Sequence, residues 1–281
     1  MSKTKKIWLL VGASLILIGT ITFITIMSLI GWDFKMLSNH KYQTNIHTVT
    51  EEFNSVSIDT TTADITFIPT QNENCSVVCE EQEKLTHSVS VINGTLTVKL
   101  IDTRKWYEYI GISFKSPKIT VYIPQDEYVD ISVKASTAKV SIREISADSI
   151  DVSVSTGDVK LTSITCKNDI KIKVTTGDTE LYDIKCKNLT SNGSTGDVEL
   201  KNVIAKEKLS LERTTGDIEL DFCDAKDIFA KTSTGDVEGS LLTDKNFNVK
   251  TCTGKQKVPT SAGEGKCEIT TDTGNVNIRV K

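Results

Sequence analysis

A glycine preceded by a small polar residue and Thr recurs in this chain at steps of 20, 19, 20, 19, 19 and 20 residues, at Gly157, Gly177, Gly196, Gly216, Gly235, Gly254 and Gly274. Five of these sites read STGDV, TTGDT, STGDV, TTGDI and STGDV; CTGKQ and DTGNV continue the series, and STAKV at Ser136 precedes it with Ala138 in the Gly position. A fixed period of this length means that one short supersecondary unit is stacked on itself. Apolar residues keep fixed offsets from the glycine. Val159, Val198 and Ile218 stand two after it, Leu161, Leu181 and Leu200 four after it, Ile164, Val203 and Leu242 seven after it, and Ile150, Leu189 and Cys267 seven before it. Lys, Glu, Asp, Ser and Thr fill the positions between, which is the period-two pattern of a half-buried strand.

Two or three short strands in a 19–20-residue unit predict one turn of a β-solenoid. The leucine-asparagine signature of leucine-rich repeats is missing, and a sandwich or barrel needs no identical loop at one fixed period. Eight units from Ala138 to Gly274 predict a rod roughly 35 Å long at the spacing of paired strands. The glycine permits a positive φ or a tight corner, the Thr residues before it stack as a ladder, and the Asp after it hydrogen-bonds nearby backbone. STGD therefore reads as structural. A catalytic reading requires one unit to differ in kind, and by sequence none does.

The repeat also stacks charge. Asp178, Asp197 and Asp217 fall in one column with Asp158 and Asp236, and Glu180, Glu199 and Glu219 fall beside them with Glu238. Lys255 and Lys257, then Asn275 and Asn277, replace both columns in the last two units, and Lys167, Lys187, Lys206, Lys226 and Lys245 form a basic column. Such ladders read either as a solvated surface that resists edge-to-edge aggregation or as an acidic stripe that meets cations or a basic partner. Of the seven cysteines, Cys166, Cys186, Cys223 and Cys267 fall in small or apolar columns and read as core filling. No CxxC pair or nearby His indicates a metal site, and no cofactor motif is present.

Residues 51–130 are less regular. FNSVSIDTTTADITFIP (53–69) is a further unit with Ala63 in the Gly position, strands are predicted over 85–92, 95–101 and 118–123, and Asn93-Gly94 signals a hairpin. RKWYEYIGISF (104–114) interrupts the pattern. Its Arg104, Trp106, Tyr107 and Tyr109 combine aromatic faces with a cation, as a site for sugar or a partner would, or as a cap over the solenoid's open edge.

Ahead of this lie residues 1–6 as a basic tip, an uncharged apolar run over 7–30 and a linker over 31–50. The run is long enough to span a bilayer as a helix, and Lys3, Lys5 and Lys6 before it predict a cytoplasmic N-terminus with the repeat domain, 51–281, outside. With a net charge of −4 and no basic excess, nucleic acid is not an expected partner.

The apolar segment, SVSIDTTTADITF, GTLTVKL, KITVYIP and the serial STGDVEL units together resemble the bacterial putative-adhesin family, a β-strand-repeat envelope domain of unknown function. The resemblance spans about 53–281. It implies an all-β, right-handed β-solenoid (β-helix-like) at the cell surface, with regular repeats over 131–281, no catalytic residues and no cofactor. The function this implies is a non-enzymatic, membrane-anchored surface protein that meets a cell-wall polymer or another envelope protein. The alternatives are an accessory component of an envelope-stress regulatory system and, less favoured, a polysaccharide-active enzyme.

Overall fold

The computed structural model describes residues 2–33, 41–106, 115–260 and 263–281. Contacts divide the chain into two units, Met1–Lys41 with Arg104–Lys115, and Tyr42–Thr103 with Ser116–Lys281. In the first unit, α1 (Lys3–Leu29) is long and apolar enough to cross a membrane, a description that a signal sequence also meets. The hydroxyls of Thr20, Thr22 and Thr25 donate to the carbonyls of Ile16, Ile18 and Ile21 at 2.8 Å. These bonds satisfy the three threonine hydroxyls within the helix itself.

The second unit is built from strands. Its front comprises β1 (Tyr42–Val49), β2 (Ser55–Thr60), β3 (Asp64–Thr70), β4 (Cys75–Gln82), β5 (Leu85–Ile92), β6 (Thr95–Asp102) and β7 (Lys118–Pro124). Next come β8 (Glu127–Thr137), β9 (Val140–Arg143), β10 (Ser146–Thr156), β11 (Val159–Cys166), β12 (Asp169–Thr176), β13 (Thr179–Thr195) and β14 (Val198–Glu212). The last are β15 (Ile218–Thr234), β16 (Val237–Leu241), β17 (Asn246–Thr253), β18 (Gln256–Lys257), β19 (Lys266–Thr273) and β20 (Val276–Val280).

These strands stack in parallel as a β-solenoid. One wall aligns Leu96, Val56, Ile131, Ile150, Ile170, Leu189, Leu209, Ile228, Cys267 and Phe247 in successive rungs. Ten rungs at the spacing of paired strands span about 43 Å. The columns two and four after glycine form a facing wall, and the apolar side chains of both walls close one continuous core. Each rung turns first at the glycine. It turns again six residues later, where Glu144, Ser163, Asp183, Asn202 and Phe222 all adopt φ between 52° and 56°. No glycine marks this second corner; Asp and Asn tolerate the left-handed conformation there.

Spatial order departs from chain order at both ends. β19 inserts between β15 and β17, and β20 between β16 and β18. The rung of Gly274 therefore lies on that of Gly235, and the rung of Gly254 is outermost. At the other end, β2 inserts between β6 and β8, and β3 between β7 and β9. That end is covered by antiparallel strands: β5 on β6, β4 on β7, and β1 on β4.

Four expectations change. Tyr42–Val49, assigned to a linker, is a strand whose exposed Ile46 and inward Asn45 and His47 invert the usual alternation. Cys75–Gln82 is a strand the pattern did not announce, since it carries no repeat signature. Leu242 is exposed, because the register slips between Leu220 and Cys223 and brings Leu241 opposite Cys223 instead. Lys245, placed in a solvated basic column, is buried and paired with Asp224 at 2.8 Å. The hairpin turn at Asn93-Gly94 is present, with φ of 51° and 74°.

Two outcomes follow from this packing. At Gly196 φ is 126° and a Cβ would lie 2.1 Å from the carbonyl oxygen of Gly177, so Gly196→Ala lowers stability by about 2–4 kcal/mol, read from its denaturant midpoint. All seven cysteines are unbridged and only Cys252 is exposed. Burial pushes the thiols of Cys186, Cys223 and Cys267 up to about 12, so alkylation of the native protein labels one thiol and the other six react only after unfolding.

Candidate interaction face

The corner after each glycine leaves one backbone N–H without a ladder partner, and the Asp of the preceding rung supplies it. Asp158 Oδ1 accepts from the N–H of Asp178 at 3.2 Å, Asp178 from Asp197 at 2.8 Å, Asp197 from Asp217 at 2.8 Å, and Asp217 from Asp236 at 2.8 Å. The chain continues in spatial rather than sequence order. Asp236 accepts from Asn275 at 2.7 Å, and Asn275 Oδ1 accepts from the N–H of Lys255 at 3.1 Å. At the front, Asp64 accepts from Lys139 at 2.9 Å. The Asp column is thus engaged in holding rungs together. Where the acceptor is an Asp carboxylate the hydrogen bond is charge-assisted, and such bonds are about twice as strong as neutral ones.

The Glu column has no such task. Glu180, Glu199, Glu219 and Glu238 stand directly opposite one another, half-exposed or exposed, followed by Asn277 and then Lys257. Lys160 caps the near end with a 2.5 Å ion pair to Glu180 and lies over the ring of Tyr182, 4.7 Å from its centroid. Like charges so placed repel, and the insertion of β20 grades the ladder from Glu through neutral Asn to Lys. Burial, together with Glu199 and Glu180, pushes the Tyr182 hydroxyl well above its ordinary value.

The aromatic loop divides. Arg104 and Trp106 are described, the latter 78% exposed, and belong to the unit that holds α1. Tyr107 and Tyr109 lie outside the described residues. The ladder residues lie in the solenoid and form one surface with each other.

Two groupings inside the solenoid were missed by sequence reasoning. Arg213 stands three residues before Gly216 in a column otherwise filled by the small or uncharged Ala135, Val154, Val174, Gly193, Thr232, Thr251 and Thr271, and is 1% exposed. Its guanidinium crosses two rungs. Nη2 donates to Thr179 Oγ1 at 2.8 Å and Ser191 Oγ at 3.1 Å, Nη1 donates to the Glu212 carbonyl at 2.9 Å, and Nε has no partner. Gly193 makes the space, since a Cβ there would lie 3.0 Å from Nη1. Burial lowers the guanidinium to about 10, against the pull of Asp178 and Asp197. One rung therefore does differ in kind, on its inside. The signal was present as four coordinated breaks in apolar columns, at Thr179, Ser191, Gly193 and Arg213. The second grouping, Cys79, Glu81 and His87, brings three potential metal-ligand atoms within 4.8 Å of one another. The sequence hid it because the residues lie on two strands of the irregular front.

The family model described as Toastrack DUF4097 matches residues 53–281. Among solved structures, the chain is similar to a putative adhesin from Bacteroides fragilis NCTC 9343, at 16% identity over 86% of this chain and 99% of that one, with a TM-score of 0.47. It is also similar to a putative lipid binding protein from Parabacteroides distasonis ATCC 8503, at 14% identity over 86% and 98%, with a TM-score of 0.49. No curated protein matches the chain.

The ladder has a pH signature. Burial raises the Asp158 carboxyl, but the Lys139 hydrogen bond, the N–H of Asp178 and the Lys139 charge outweigh it and hold the group below its ordinary value. A carboxyl depressed in the folded state contributes stability that is fully present above its unfolded value and lost as pH falls through its folded value. The melting temperature of Asp158→Asn consequently falls less between pH 5 and pH 2 than that of the parent, while the two curves run parallel above pH 5.

Proposed function

The chain belongs to the Toastrack DUF4097 family, and on that footing we propose that it is a non-enzymatic, membrane-anchored surface protein whose solenoid offers a rigid charged face to an envelope polymer or envelope protein. The carrying observation is the division of labour in the acidic ladder. The Asp carboxylates are engaged by backbone, whereas the Glu carboxylates beside them stand in a like-charge alignment that only Lys160, paired with Glu180 at its near end, offsets with a cation. A face of fixed charges at strand spacing suits a repetitive, oppositely charged partner.

Anchoring is supported by α1 with Lys3, Lys5 and Lys6 at its start and by Trp8 and Trp32 near its ends, the arrangement of a helix with its N-terminus in the cytoplasm. Catalysis by a carboxylate pair needs two carboxylates in unlike surroundings, one held protonated and one ionised. The ladder instead repeats similar surroundings rung after rung.

The test is sedimentation of the full-length chain, in lipid nanodiscs, with isolated cell-wall material and with solubilised envelope proteins. Binding at 0.01 M salt that fades at 1 M, where screening length shrinks from about 30 to about 3 Å, is the expected result. The combined Glu180, Glu199, Glu219 and Glu238→Gln variant keeps the parent's melting temperature or exceeds it and loses most of this binding. Absence of binding to either material at low salt would sink the proposal.

A further inference from the structure

We propose that the N-terminal cap of the solenoid holds a divalent metal ion of the zinc class, ligated by the Cys79 thiolate, the Glu81 carboxylate and Nδ1 of His87. The three residues meet where β4 and β5 cover the first rungs, and all are buried. Their chemistry is that of a borderline metal: one sulfur, one imidazole nitrogen and one carboxylate oxygen. Burying a thiol, a carboxylate and an imidazole together costs free energy that packing alone does not return.

The surroundings are those that orient metal ligands. His87 Nε2 lies 2.9 Å from Thr60 Oγ1, a buried hydroxyl able to accept its proton, so that Nδ1 is free to ligate. Asn45 Nδ2 donates to Glu81 Oε1 at 2.6 Å, and the backbone N–H of His87 donates to Oε2 at 2.7 Å. Glu81 Oε2 and His87 Nδ1 are themselves in hydrogen-bond contact, 2.7 Å apart. Ligand atoms in a tetrahedral zinc centre stand about 3.3–3.8 Å apart, from bond lengths of about 2.0–2.3 Å. A modest opening of that contact, with the thiol closing in, makes the centre.

The charges balance. Ligation by the Cys79 thiolate requires loss of the thiol proton, so each divalent ion entering releases at least one proton. The site it leaves is neutral, a cation offset by one thiolate and one carboxylate, which is the condition for burying charge. Because the sulfur ligates as the thiolate, uptake strengthens with pH. An ion there ties β4 to β5 through its ligands and to β2 and β1 through Thr60 and Asn45, fastening the strands that close this end.

The test uses the full chain in detergent, stripped of metal and titrated with Co²⁺. One equivalent produces a near-ultraviolet thiolate-to-cobalt charge-transfer band, at least one proton is released per ion in weak buffer, and Zn²⁺ abolishes the band. Cys79→Ser removes the band, whereas Cys252→Ser and Cys75→Ser keep it. Thr60→Val, which leaves all three ligands in place, weakens the affinity for Zn²⁺ by about 10–100-fold. Because removing a buried ligand also perturbs folding, the parent's melting temperature with and without Zn²⁺ is read in parallel, and a rise with metal that Thr60→Val diminishes supports the site. No band in the folded parent, or a band that survives in Cys79→Ser, overturns it and leaves Glu81 and His87 as a buried pair.

Discussion

The whole solenoid depends on how closely one rung lies on the next at the glycine corner. A side chain there would meet the carbonyl of the rung before it at contact distances near 2 Å. The glycine is therefore required twice, for its positive φ and for the approach of backbone to backbone. Once the corners stack, the Thr before each glycine and the Asp after it stack as well. The Asp then supplies the one hydrogen bond that the corner removes from the ladder. Register is thus specified independently by backbone, by glycine and by carboxylate, and a slip of one residue would break all three.

The ends show how a stack of this kind is finished. Open rungs present unpaired backbone, a template for unwanted pairing. At the N-terminal end the chain covers its rungs with antiparallel β5, β4 and β1. At the other end the last segment of chain slides inward and leaves the rung of Gly254 outermost. That rung bears Lys250, Lys255 and Lys257, and lysine on an edge disfavours further addition. The same inversion places Asn275 and Asn277 between the acidic columns and these lysines, which softens the change of sign.

Against this uniformity, two polar groupings in the interior stand out. Arg213 crosses the core through room left by Gly193, and Cys79, Glu81 and His87 meet under the cap. Each needs several cooperating residues on different strands. Burying such groups is costly unless they are fully partnered, and Arg213 Nε is not.

Much of this was legible in the sequence. The period announced the solenoid, the offsets from glycine named most of its core, and the apolar run named α1. The charge columns were readable for the same reason: a strict period maps sequence offset directly onto height in the stack. Where the period fails, so does that mapping. β1 and β4 pair antiparallel and carry no repeat, a single slipped register exchanges Leu241 for Leu242, and the second corner is made by residues as unlike as Asn202 and Phe222. The division of the acidic ladder into an Asp column bound to backbone and a Glu column turned outward beside it was equally hidden, because it depends on where each carboxylate points. What the sequence determined by itself was the rung, since every unit repeats the same local interactions. What only the tertiary structure decided was the order of rungs at the two ends and the meeting of Cys79 with His87, because these are set by long-range pairing that no local pattern encodes.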